Sequence, residues 1–262
     1  MPTDADLYEQ LLNGTDQAVF AYGGILSKDM GLVVSNETTQ TSPEASISFQ
    51  NIPGRDGSLI IDNKRLNNFI YPIHTYLRPE SDLDIHEAAT HISQWLKGDV
   101  RYHELFLSWD PRYIYKAVYN EQFSITDILP RFGKIALNFK CHPIKYLVIG
   151  QQTLEITSGQ TLLNPEKRAA KPLIAISGTG NITLKKNGAN WLILSNIDGY
   201  ITVDSESKSV YKDTNEFEKM NATLSPLFPL LDEVRTSLPG LKQASWLVSL
   251  LDGRRSLNGY FV

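Results

Sequence analysis

A single cysteine, Cys141, stands among the 262 residues. That excludes an intramolecular disulfide and any zinc site built on paired thiolates. No apolar run approaches the roughly 20 residues that a membrane-spanning helix needs. Positive charge is short as well: 25 Lys and Arg against 29 Asp and Glu leave a net charge of −4, without the basic footprint of a nucleic-acid binder. The opening MPTDADLYEQ is acidic and polar where a secretory signal is basic and then apolar. These absences predict a soluble chain, made where thiols stay reduced. With 42% hydrophobic and 21% charged residues the composition is that of a globular protein, and the length suits one large β domain or two ordinary ones.

What is present is mostly strand and turn. A short helix is expected over residues 4–13, capped by Asp4 or Asp6 and stopped at Gly14. Then come the strand-like runs QAVFAY, GLVV, SISFQNI, SLIID and NFIYPIHTYL, between turn clusters such as Gly23-Gly24 and Asn36-Glu37-Thr38-Thr39. RYHELFLSW, YIYKAVYNE and KIALNFKCH continue the pattern, turning at Asp110-Pro111 and Arg131-Phe132-Gly133. One segment breaks it. DLDIHEAATHISQWLKG sets Ile85, Ala88, Ala89, Ile92, Trp95 and Leu96 on one stripe, which predicts an α-helix over about 83–97 covering one face of a sheet. Asp84 and Glu87 have capping-box spacing, and Gly98 is placed as a left-handed stop.

From about Tyr146 onward the chain is nearly all strand and turn, with Lys186-Asn187-Gly188 and Asp198-Gly199 as hairpin turns. The fold class expected is mainly β. An N-terminal β domain with one α-helix occupies 1–147, and an antiparallel β-sandwich occupies 148–262, its last strands free to pack back on the first domain.

No catalytic constellation emerges. His86 and His91 are five apart, whereas a helical metal pair is spaced three or four. Cys141 and His142 are adjacent on a strand, so they point to opposite faces, and a buried structural cysteine is the simpler account. Gly178-Thr179-Gly180 lacks the following helix that a phosphate cradle requires. The acidic pairs Asp82/Asp84, Asp204/Glu206 and Asp232/Glu233 sit beside turn or capping residues and read as solvated surface. Leu163-Asn164-Pro165-Glu166-Lys167-Arg168 is faintly similar to the segment with which galectins hold galactose. Its histidine is missing, and neither Trp191 nor Trp246 is followed by the expected glutamate. We expect no catalytic residue, no metal site and no cofactor.

The stretch FQNIPGRDGSLIID holds the candidate site: Pro53, Gly54, Arg55, Asp56 and Gly57, a tight turn between two strand-like runs. Gly54 and Gly57 permit positive φ, Pro53 fixes the entry, and Asp56 is able to bond its own backbone. Arg55 is left projecting, suited to a bidentate contact with a carboxylate on a neighbour. The turn is expected to be architecture, with Arg55 and Asp56 near a subunit boundary.

Several ordered segments together resemble the distal tail (Dit) proteins of siphophages. Phe20-Ala-Tyr22-Gly-Gly-Ile-Leu-Ser27-Lys-Asp29-Met-Gly31-Leu32 is similar to the family's opening, and Ile52-Pro53-Gly54-Arg55-Asp56-Gly57 to its most recognisable signature. The helix ending Trp95-Leu96, then Asp110-Pro111-Arg112-Tyr113 with Tyr115 and Ala117, then Gly133 to Pro143 follow in the family's order. Asn164-Pro165 and Pro172 to Ile182 resemble the opening of its second domain, and the likeness fades after about Tyr211, where the tail reads Asp252-Gly-Arg254-Arg255.

The resemblance implies a structural protein and not an enzyme: a ring-forming N-terminal domain followed by a galectin-like β-sandwich. It implies a homo-hexamer at the distal tip of a long non-contractile tail, a virion component assembled in the host bacterial cytoplasm. Implied partners are the tail-tube protein, the tail-associated hub protein, and receptor-binding or baseplate proteins. DNA only transits the channel, without specific binding, and no membrane is entered. The competing reading is a carbohydrate-binding module for a bacterial cell-wall glycan, carried by the second domain.

Overall fold

The computed structural model describes residues 18–35, 40–78, 84–122, 133–156, 164–166 and 168–212, together with the backbone of 126–129, 132, 161–162, 222–223, 236–237 and 246–249. The helix expected over 4–13, the turn at 36–39 and most of the tail lie outside these residues. The chain divides into two compact units, Met1–Leu147 and Val148–Val262.

The first unit is a strongly hydrogen-bonded antiparallel sheet with one helix laid across it. In chain order its elements are β1 (Phe20–Tyr22), β2 (Ile25–Leu26), β3 (Leu32–Val34), β4 (Ala45–Asn51), β5 (Ser58–Leu66) and β6 (Phe69–Leu77). Then follow α1 (Ile85–Lys97), β7 (His103–Leu107), β8 (Tyr113–Val118), β9 (Thr126–Leu129) and β10 (Phe132–Leu147). The sheet runs β2-β1-β7-β8-β10-β6-β3, with β9 also on β10, while β4 and β5 form a separate two-stranded ribbon.

Alternation decides which face is buried. Tyr71, Ile73, Thr75 and Leu77 of β6 and Ile135, Leu137, Phe139 and Cys141 of β10 all point inward. Onto them α1 lays Ile85, Ala88, Ile92 and Leu96, the stripe read from the sequence. Each of the larger of these side chains contributes about 1.5–3 kcal/mol on burial. Trp95 lies at the edge of the stripe. Its ring stacks on Phe20 at 6.1 Å, and its indole Nε1–H donates to the Tyr22 carbonyl at 3.0 Å.

One end of the helix is as expected and the other is not. Asp84 caps the start, its carboxylate accepting from the Ile85 amide at 2.7 Å. Gly98 is right-handed at φ −63°, not left-handed, so its glycine has another cause: a Cβ there would stand 2.7 Å from the Gln94 carbonyl oxygen. The turn placed at Arg131-Phe132-Gly133 is also shorter than expected, since Phe132 and Gly133 already belong to β10. That strand runs through Pro143, where the register slips between Cys141 and Lys145. Proline has no amide for the ladder, and a slip is where a strand tolerates one.

The second unit is a two-sheet sandwich. Its strands are β11 (Thr153–Ile156), β12 (Thr161–Leu162), β13 (Leu173–Ser177), β14 (Gly180–Lys186) and β15 (Ala189–Ile197). They continue as β16 (Tyr200–Asp204), β17 (Ser209–Tyr211), β18 (Ala222–Thr223), β19 (Thr236–Ser237) and β20 (Trp246–Ser249). One sheet is β11-β20-β13-β16-β17, the other β14-β15-β18, and β12 pairs β19. Ile156, Ile174, Ile176, Ile201, Val203 and Val210 from the first sheet meet Leu184, Leu192, Leu194 and Ile197 from the second in one core. The late strand β20 lies between β11 and β13, inside this unit.

Asn187 (φ 51°) and Gly188 (φ 84°) make the β14–β15 hairpin turn, both in the left-handed region as a two-residue turn demands. Asp198-Gly199 does something else. It carries the chain from β15 into β16, which belong to different sheets, so it is a crossing and not a hairpin. The other crossing, at Gly178, runs beside it: the Gly178 amide donates to the Gly199 carbonyl at 2.8 Å.

Candidate functional site

The ribbon of β4 and β5 carries the site read from the sequence. Its tip begins with a type II turn, the Arg55 amide donating to the Ile52 carbonyl at 3.2 Å with Pro53 and Gly54 between them. Gly54 at φ 80° occupies the position that requires the left-handed region, and Gly57 at φ 78° returns the chain into β5. The turn's hydrogen bond is made by backbone, not by the Asp56 carboxylate. Arg55 and Asp56 are exposed, and neither forms an ion pair with another described residue. Next to the tip, Ser58 Oγ donates to Asn51 Oδ1 across the strands at 2.6 Å.

The sides of the ribbon are more unusual than its tip. Phe49 stands opposite Ile60 and Ile47 opposite Asp62, so Ile47, Phe49 and Ile60 share one face. Leu59 and Ile61, opposite Gln50 and Ser48, share the other. All five are exposed, Phe49 by 64% and Ile60 by 63%. Both outer edges of the ribbon are unpaired among the described residues. At its base the register slips between Ala45 and Ile47, and Lys64 takes φ 57° there. Asp62 fixes this bulge by accepting from the Lys64 amide at 2.8 Å and pairing with its ammonium at 2.8 Å. That contact holds the Asp62 carboxyl below its ordinary range.

The sequence pointed to the tip and missed the sides. The signal was there: SLIID sets three apolar residues in succession, and a strand apolar on both faces is either central in a core or covered by a partner.

The other candidates fall apart as chemistry. Cys141 is fully buried, and burial pushes its thiol up to about 12, which leaves it inert. His142 instead accepts from the Ile144 amide at 3.4 Å. His86 and His91 are exposed on α1. Asp204 accepts from the Glu206 and Ser207 amides at 2.8 and 3.1 Å, holding a turn, while Glu206 pairs with Lys171 at 2.7 Å. Asn164 is buried and turned onto its own loop, donating to the Arg168 carbonyl at 2.9 Å and accepting from the Glu166 amide at 3.1 Å. Trp191 packs on the sandwich core with the Lys186 ammonium 5.9 Å above it, so it is no open platform for a sugar. Among the described residues no three His, Cys, Asp or Glu stand together as a metal cluster, and no helix is long and apolar enough to cross a membrane. Asp82, Lys167 and the pair Asp232/Glu233 lie outside the described residues.

Residues 24–141, which include this ribbon, match the family described as phage tail protein RIFT-related domain. Over these residues the chain is similar to a phage tail domain. Its fold agrees: the crystal structure of the SPP1 Dit protein superposes with a TM-score of 0.69 at 16% identity, covering 88% of this chain and 97% of that one. That protein's structure was described as a paradigm of the hub of the adsorption apparatus in phages infecting Gram-positive bacteria. Chains of the phage P2 baseplate in its activated conformation, with Ca or with Sr, are far more distant. They reach TM-scores of 0.44 and 0.47 at 7% and 8% identity, covering 88% and 90% of this chain and 97% and 98% of theirs. No curated protein matches the chain. Over residues 24–141 the family model points to a phage tail domain, and the fold is similar to that of the SPP1 Dit protein.

Proposed function

We propose that this chain is a distal tail protein forming the hub ring of a long non-contractile phage tail, a homo-hexamer closed by its N-terminal unit. In this reading it joins the tail-tube protein to the tail-associated hub protein, anchors receptor-binding or baseplate components, and lets DNA pass through its channel. The role is structural and non-enzymatic, in a virion assembled in the host bacterial cytoplasm. The observation that carries the proposal is the β4–β5 ribbon. A two-stranded ribbon alone is marginal in water, and this one exposes apolar side chains on both faces and open edges on both sides. A neighbouring copy covers it. In this reading a different part of the neighbouring chain receives the ribbon, and such head-to-tail contacts form a ring when the rotation between copies closes. Pro53–Gly57 then brings Arg55 and Asp56 to the subunit boundary.

The test is the solution mass of the purified chain by light scattering across a range of concentrations, for the wild type and for Phe49→Asp with Ile60→Asp. Wild type is expected near six times the 29.5 kDa chain mass, and the double variant as a monomer with an unchanged circular dichroism spectrum. Full-sized rings from the double variant would overturn the assignment of the ribbon, and a wild-type monomer at every concentration would overturn the ring.

A further inference from the structure

The last residues of β10, just before the division between the two units at Leu147, are gripped from both faces. Lys145 lies opposite Tyr115 in the ladder, Tyr146 opposite Ile114, and Leu147 opposite Tyr113. On one face the Lys145 ammonium sits 3.8 Å over the Tyr113 ring and 3.2 Å from an Asp110 carboxylate oxygen. The same oxygen accepts from the Tyr115 hydroxyl at 2.5 Å. Asp110 itself is fixed in the turn after β7, its amide donating to the Leu107 carbonyl and its carbonyl accepting from the Tyr113 amide. On the other face the Lys116 ammonium sits 4.8 Å over the Tyr146 ring.

These contacts fall where the sheet narrows. β6 pairs with β10 only as far as Cys141, so among the described residues the exit segment beyond the slip has a single neighbouring strand. Past Leu147 the chain changes character. Residues Ile149–Gln151 form one 3-10 turn, and Ile149 is 68% exposed.

We infer that Asp110, Tyr113 and Lys145 on one face, with Lys116 and Tyr146 on the other, form a rigid mount. It fixes the course of the chain as it leaves the first unit. Asp110 and Lys145 act as positioning residues. The Asp-Pro-Arg-Tyr segment thereby acquires a physical role: it supplies the carboxylate and the ring that hold a lysine on the neighbouring strand.

Hydrogen exchange of the full-length chain, read by mass spectrometry, tests this. One exposed cation–π contact with its ion pair stabilises by about 1 kcal/mol, a factor of about 5 in local opening. Lys145→Met is therefore expected to speed exchange of the ladder amides in 145–147 about fivefold. Amides in 135–139 stay at wild-type rates, and Lys145→Arg, which keeps both the charge and the ring contact, restores the protection. Unchanged exchange at 145–147 in Lys145→Met would overturn the mount. So would an equal rise at 135–139, which would mean general loss of stability.

Discussion

At the scale of single residues, the buried ionisable groups make the clearest prediction. Burial raises the Cys141 thiol from its ordinary value of 9.0 to about 12, and raises the Tyr119 hydroxyl from 10.0 to about 12. Tyr115 is raised further, first by burial and then by donating its proton to Asp110. The folded state favours the protonated form of each, so the stability is whole below the unfolded pKa and is lost as pH rises through the folded one. Between pH 9 and 10 the thiol acts ahead of the tyrosines. Denaturant unfolding is expected to lose up to about 1.4 kcal/mol per pH unit there, and Cys141→Ala to flatten that slope. A slope unaltered by the substitution would assign the loss to other groups. Gly98 gives a second prediction: with the Gln94 carbonyl oxygen 2.7 Å from where a Cβ would sit, Gly98→Ala is expected to cost about 1–3 kcal/mol although its φ suits any residue.

Elements divide into those a local pattern specifies and those it does not. Helix α1 is a local object, written in a stripe of apolar residues and an Asp84 cap, and its place was legible to within two residues. The Asn187-Gly188 hairpin was legible for the same reason, since two consecutive left-handed residues admit few sequences. Asp198-Gly199 looks no different in sequence but joins two sheets, because which strand a turn delivers the chain to depends on the core and not on the turn. The candidate site shows the same division. Pro53, Gly54 and Gly57 announce a turn, whereas nothing local to SISFQ or SLIID says that no sheet stands behind them. The anchoring of α1 is testable. Trp95→Phe keeps the stack on Phe20 but removes the indole donor from the Tyr22 carbonyl, and is expected to cost about 1–2 kcal/mol in urea unfolding. No measurable change would mean that water replaces the indole.

For the whole molecule, the two units have separate hydrophobic cores, one built around α1 and its sheet, the other between the two sheets of the sandwich. Independent cores predict two transitions in scanning calorimetry. Ile92→Ala, which empties a fully buried site beneath the helix, should lower the first unit's transition, and Leu194→Ala the second unit's, each by a cavity cost of about 2–5 kcal/mol. If the ring is closed by the β4–β5 ribbon, association stabilises only the unit that carries it. Mass action then makes that unit's melting temperature climb with protein concentration while the sandwich transition stays fixed. Phe49→Asp with Ile60→Asp should abolish the climb without moving the sandwich transition. Should both transitions climb together, the sandwich would share in the subunit contact, and the assignment of that contact to the first unit alone would have to be abandoned.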